Sequence, residues 1–113
     1  MNHTMYTCGD LQLDLDGRVA YVSGERMLLT FGEFEILRKL MADPGHAFTR
    51  RQLHVGARTA SERTVDVHIL RLRKKLRAAR AFRIETVPSI GYRGWASGDA
   101  GGGARSSELS VVR

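Results

Sequence analysis

RTVDVHILRLRKKL, residues Arg63 to Leu76, carries apolar side chains on one side and cations on the other. At about 100° per residue, Val65, Ile69, Leu72 and Leu76 fall within one arc of roughly 60°, which a domain core can cover. The opposite arc holds Arg63, Thr64, Val67, His68, Arg71, Lys74 and Lys75, so docking the apolar arc presents cations, a hydroxyl, an imidazole and methyl groups to the outside. Such a strip suits the major groove of DNA. That groove admits one α-helix, an Arg can bind guanine O6 and N7 with two hydrogen bonds, and a Val can meet a thymine methyl. A solvated charged helix face would show the same amphipathic pattern, so the surroundings of the helix must shift the balance.

The surroundings are basic. The chain has 113 residues, a net charge of +6 and a pI near 10.2. Arg50 to Arg83 holds 11 Lys and Arg against 2 acids, whereas Met1 to Thr49 holds 4 against 7. A cationic patch on a chain of one-domain length points to a polyanion, through release of counterions from phosphates, ahead of a small-molecule substrate. A membrane surface is the rival polyanion, but the exposed arc lacks the Trp, Phe and Leu that an interfacial helix inserts into lipid. Cys8 is the single cysteine, so no internal disulfide is expected, and no apolar run follows a basic start at the N-terminus. These features suggest a cytoplasmic protein, nucleoid-associated when bound. His46, His54 and His68 fall in different expected elements without metal-ligand spacing, so neither metal nor cofactor is expected. No paired carboxylates, phosphate-binding Gly loop or Ser/His/Asp set suggests catalysis.

From Met5 to Leu29 short alternating runs suggest an antiparallel meander. Leu11, Leu13 and Leu15 face one way against Gln12 and Asp14, and Val19, Tyr21 and Leu28 follow across turns at Asp16-Gly17 and Gly24. Thr30-Phe31-Gly32-Glu33 reads as a capping box, opening a helix that runs to about Ala42, buries Phe34, Leu37, Leu40 and Met41, and stops at Asp43-Pro44-Gly45. Thr49-Arg50-Arg51-Gln52 repeats the box for a short helix from Arg50 that frays by Gly56. Ala57 to Ser61 is expected to be a loop, with Ser61 capping the basic helix. RIETV, PSIG and YRGW then read as a β-hairpin, a wing over residues 83–95. Residues 97–113, rich in Gly, Ser and Ala, are expected to be a disordered tail to a 1–96 domain.

In this order the elements resemble the winged-helix DNA-binding domain of OmpR/PhoB-type bacterial response regulators. LTFGEFEILRKL, the PG that ends the first helix, TRRQL, RTVDVHILRLRKKL and ETV…GYR carry the resemblance over Leu28 to Trp95. It implies an α+β fold: a winged helix-turn-helix with an N-terminal antiparallel sheet, three helices and a C-terminal β-hairpin wing. It also implies that Arg71 and Val67 meet base edges, that Arg63, His68 and Arg73 hold phosphates, and that Thr86 binds backbone at the wing. Arg73 lies at the edge of the core arc, where a salt bridge to Asp66 or an intramolecular cap competes with phosphate contact. Three features depart from the family pattern. Pro88 stands where many relatives place a wing-tip Arg that enters the minor groove, and Arg93 is the cation left nearby. The His54 to Glu62 connection, where the family usually contacts RNA polymerase, is short and lacks the common Trp. No receiver domain precedes Met5, which suggests an excised effector domain or a stand-alone regulator. Leu70 replaces a residue often polar in relatives, on a flank that a neighbouring protomer could touch.

The sequence therefore suggests sequence-specific binding of double-stranded DNA by a bacterial transcription regulator and no enzymatic activity. The expected contacts are Arg63, Thr64, Val67, His68, Arg71, Arg73, Lys74, Lys75, Thr86 and Arg93, with the helix in a major groove and the hairpin on the adjacent backbone. Head-to-tail pairs on direct repeats, with RNA polymerase as a further partner, are implied by the resemblance. Two rivals remain: a winged-helix module that docks a receiver domain or polymerase, and a binder of any nucleic acid, RNA included.

Overall fold

The computed structural model describes residues 4–96 and the backbone of 110–112. Four short strands, β1 (Met5–Cys8), β2 (Leu11–Asp14), β3 (Val19–Val22) and β4 (Glu25–Met27), form an antiparallel meander. Three helices follow: α1 (Phe31–Ala42), α2 (Arg50–Ala57) and α3 (Glu62–Lys75), the last continued by a 3-10 turn over Leu76–Ala78. A two-residue strand, β5 (Phe48–Thr49), precedes α2 and pairs with the hairpin β6 (Phe82–Val87) and β7 (Gly91–Ala96), giving the order β5-β7-β6.

Local chemistry sets the helix starts. Thr30 and Thr49 each accept from the amide of the third helical residue, and Glu33 and Gln52 each accept from the threonine amide, so both capping boxes close. Ser61 accepts from the Thr64 amide at the head of α3. The turn between α2 and α3 is short because its polar groups bond internally. Arg58 adopts φ +53, the Thr59 amide donates to the His54 carbonyl, and the Thr59 hydroxyl lies 2.6 Å from His54 Nδ1 and donates to the Ser61 carbonyl.

The three helices pack on one another around a single core. Leu11 and Leu13 from β2, Phe34, Ile36, Leu37, Leu40 and Met41 from α1, Leu53 from α2, Val65, Ile69, Leu72 and Leu76 from α3 and its continuation, and Phe82 and Ile84 from β6 are all buried in it. Asp10 links the first sheet to the start of the hairpin by accepting from the Arg80 and Ala81 amides. Gly91 is required by the pairing of β5 with β7, since a Cβ there would meet the Phe48 carbonyl oxygen at 2.1 Å.

Two expectations are corrected. In β3 it is Ala20 and Val22 that are buried, with Val19 and Tyr21 only half-buried, because Ala20 and Val22 stand opposite Leu13 and Leu11 and cross-strand partners share a face. Met27 takes the next inward place opposite Ala20, which leaves Leu28 73% exposed. The second correction concerns the tail. Ser110–Val112 forms a strand, β8, antiparallel to β1 with Met5 opposite Val112, so the first sheet runs β4-β3-β2-β1-β8. Two β-branched valines and an otherwise unpaired edge on β1 supply the reason. The expected disorder of 97–109 and of residue 113 lies outside the described residues.

Candidate nucleic-acid interface

Docking Val65, Ile69 and Leu72 into the core fixes the rotation of α3. The remaining side chains then fall into three groups. Arg63, Val67, Arg71 and Lys74 point directly away from the core and are exposed, Val67 at 41%. Among the described residues, none of the three cations is held by an ion pair or hydrogen bond, so their charge faces outward uncompensated. Thr64 stands beside them, half-buried, with its hydroxyl 3.1 Å from that of Ser61 in the cap.

His68 and Lys75 lie on the flank turned toward α1. Lys75 Nζ donates to Glu33 Oε1 at 2.5 Å, and Glu33 is fully buried, its other oxygen without a partner. Burial alone would raise the Glu33 carboxyl, but the Lys75 ammonium and the Thr30 amide outweigh it and hold the group below the usual carboxylate range. His68 is half-buried with its ring against Gly32, where an added Cβ would stand 3.0 Å from Nε2, and its Nδ1 is buried without a partner. Burial, reinforced by Arg71 and Lys75 and opposed by Glu33, pushes the imidazole below its ordinary value.

Arg73 lies on the other flank and braces the wing. Its Nε donates to the Ile84 carbonyl at 3.2 Å, its Nη2 to the Thr86 hydroxyl at 2.8 Å, and its guanidinium sits 5.6 Å from the centre of the Tyr92 ring. The intramolecular alternative for Arg73 is therefore realised, with the hairpin as partner in place of Asp66. Asp66 accepts instead from the Tyr92 hydroxyl and from Arg50, each at 2.6 Å, and joins α3, α2 and β7 at one point. Burial and the bond to Asp66 both push the Tyr92 phenol up. Arg93 alternates with Tyr92 along β7 and so falls on the opposite face of the hairpin, where it pairs with Glu85 at 2.5 Å and stacks on Trp95, whose indole N–H also donates to Glu85.

Of the ten residues singled out from sequence, the fold thus gathers Arg63, Thr64, Val67, Arg71 and Lys74 on one outward strip. It joins Arg73 to Thr86, turns His68 and Lys75 toward α1, and sends Arg93 to the far side of the wing. Sequence reasoning missed Arg50 and Arg51, which line a cleft of about 460 Å³ between the hairpin tip and the first turns of α2 and α3. Their position at the head of a capped helix, beside the basic one, was the available signal.

A helix, a tight turn, a second helix with an outward basic strip and a hairpin braced against it define a winged helix-turn-helix. The family model described as "Transcriptional regulatory protein, C terminal" matches residues 24–94, and the chain belongs to this family, the winged-helix effector domains of OmpR/PhoB-type regulators. It is 38% identical over 94 residues to the phosphate regulon transcriptional regulatory protein PhoB of Rhizobium meliloti (strain 1021), covering 79% of this chain and 41% of that protein. It matches the DNA-binding domain of Klebsiella pneumoniae RstA, solved in complex with the RstA box, at a TM-score of 0.69 and 33% identity, over 79% of this chain and 94% of that one. The Thermotoga maritima OmpR/PhoB homologue DrrB matches at a TM-score of 0.69 and 34% identity, over 79% and 43% of the two chains. The chain spans less than half the length of the curated relatives it matches. The family is one of transcription regulators and not of enzymes. No helix among the described residues is long and apolar enough to cross a membrane.

Proposed function

We propose that this domain binds double-stranded DNA sequence-specifically for a bacterial transcription regulator, with α3 in a major groove and the hairpin along the adjacent backbone. The observation that carries the reading is the outward strip: three cations free of ion pairs among the described residues flank an exposed Val67 on one face of a helix whose rotation the core fixes. Solubility would be served by cations anywhere, whereas base reading needs them on one face with a methyl-bearing side chain between them. In this reading Arg71 and Val67 meet base edges, and Arg63 and Lys74 hold phosphates. Thr64, Arg73 and Thr86 stand where backbone contacts would be made, and Arg50 and Arg51 extend the phosphate-facing surface into the cleft.

His68 and Lys75 act mainly as positioning residues that lock α3 to the cap of α1, and Arg93 stiffens the wing. One helix and one hairpin make a small interface, so head-to-tail pairs on direct repeats about 10 to 11 base pairs apart complete the proposal, with RNA polymerase as a partner of the assembled regulator. Selection of bound duplexes from a random pool, followed by a salt titration, tests it. A recovered consensus with log K falling steeply against log salt, about −0.9 for each phosphate neutralised, is expected. Recovery of no consensus, or a flat salt response, would refute it.

A further inference from the structure

The tip of the wing is apolar and rigid. Pro88 and Ile90 are exposed, Ile90 at 48%, on a turn whose flanking strands bury Phe82, Ile84 and Ala96. Proline fixes its own φ, Ser89 is held at φ +67 in the left-handed region, and the Ile90 amide donates to the Val87 carbonyl at 3.0 Å. Arg73 and the Tyr92–Asp66 bond brace the strands behind it against α3, so the tip holds a defined place relative to the recognition helix. Ile90 is the large apolar side chain that this constrained turn holds out, with Pro88 beside it, at the edge of the cleft lined by Arg50 and Arg51.

The cleft between the tip and the helices indicates what meets them. Arg50 and Arg51 line it, and of its two acids Asp66 is already engaged by Arg50 and Tyr92. A phosphate strand lying in that cleft would have α3 in the major groove on one side and the tip over the minor groove on the other. Beyond the Ser89 hydroxyl and amide the tip offers little for reading base edges there, because Pro88 has no N–H and the Ile90 N–H is used in the turn. What it offers is apolar bulk, which side chains such as Ile and Pro use to wedge between base steps from the minor groove.

We propose that Pro88 and Ile90 form an apolar wedge that enters the minor groove next to the recognition helix and favours a deformable pyrimidine–purine step there. The step is cheap to unstack, so the wedge would add sequence preference at a position no side chain reads by hydrogen bonding. The inference rests on the DNA-binding reading of α3 and adds a contact that can fail alone.

The test uses a duplex selected from a random pool, with the step facing the tip located by hydroxyl-radical footprinting. Wild type, Ile90→Ser and the β-branched Ile90→Thr are compared on this duplex and on one whose step is replaced by AA. End-labelled duplexes report bending, and thermal melting confirms folding. The expected result is about five-fold weaker binding by Ile90→Ser, with reduced bending and an unchanged salt slope. Replacing the step should weaken wild type about ten-fold and Ile90→Ser hardly at all, with Ile90→Thr between them. Equal affinity, bending and step preference in wild type and Ile90→Ser would overturn the wedge while leaving the recognition helix intact. Failure of wild type to bind any selected duplex would instead overturn the DNA-binding reading and the wedge with it.

Discussion

Lys75 belongs by helical periodicity to the arc proposed to face DNA, yet its ammonium is spent on Glu33, and replacing it separates these two roles. In Lys75→Ala the Glu33 carboxylate, fully buried, would keep only the Thr30 amide at 3.0 Å as partner on Oε1 and none on Oε2. Stripping a buried carboxylate of its cation costs about 3–5 kcal/mol when the pair is wholly enclosed. The Lys75 side chain is 34% exposed, which lets solvent share the interaction and brings the figure down to about 2 kcal/mol. For a domain of this size that lowers Tm by roughly 8–16 °C. Melting at neutral pH followed by circular dichroism reads the effect, and Glu33→Gln/Lys75→Met should recover most of the loss because no buried charge remains. The deficit should also shrink as pH falls below the carboxylate range, where Glu33 protonates and needs no cation. The DNA salt slope should barely change. If Lys75→Ala melts like wild type and lowers the salt slope by about one unit, Lys75 reaches phosphate and the lock between α1 and α3 is not what holds it.

Gly91→Ala should detach β5 from β7, because the new Cβ would stand 2.1 Å from a backbone oxygen that cannot yield as a side-chain end could. Loss of about 3 kcal/mol or more in urea unfolding is expected, and an unchanged midpoint would refute the close pairing. Acid should destabilise the fold first through His68. Its folded-state pKa lies below the ordinary 6.5, so the unfolded chain binds more protons in the interval between the two values. Stability is therefore complete above the ordinary value and falls as pH drops below it, and His68→Gln should flatten that part of the Tm-against-pH curve. A wild-type curve flat from pH 7 to 5 would show that the imidazole stays in contact with water.

Most of the architecture was legible because it is written in local chemistry. Both capping boxes, the Ser61 cap, the Pro44 stop and the apolar arc of α3 act within a few residues of one another, and each appears where periodicity and cap residues place it. What escaped depends on pairing at long range. The inward face of β3 follows from its register with β2, and β5 and β8 are strands only because β7 and β1 present free edges to them. The same division runs through the interface. Periodicity correctly placed Arg63, Val67, Arg71 and Lys74 on the outward strip, but an arc drawn on an isolated helix has no flanks. It could not reveal that α1 turns a buried Glu33 toward Lys75, that the hairpin claims Arg73, or that alternation along β7 carries Arg93 to the far face.

Arg71 offers the most direct test, since it lies midway along the outward strip, where the proposed docking would bring a guanidinium to base edges, whereas Lys74 and Arg63 flank it. Affinities of wild type, Arg71→Ala and Lys74→Ala for a selected duplex and an unrelated one, each over a series of salt concentrations, separate the roles. Arg71→Ala should lose about 1–3 kcal/mol on the selected duplex, little on the unrelated one, and preference at one base position. Lys74→Ala should weaken both duplexes by similar factors and lower the salt slope by about one unit. If Arg71→Ala weakens both duplexes equally and leaves the sequence preference intact, Arg71 is a phosphate contact and α3 does not present this face to the bases.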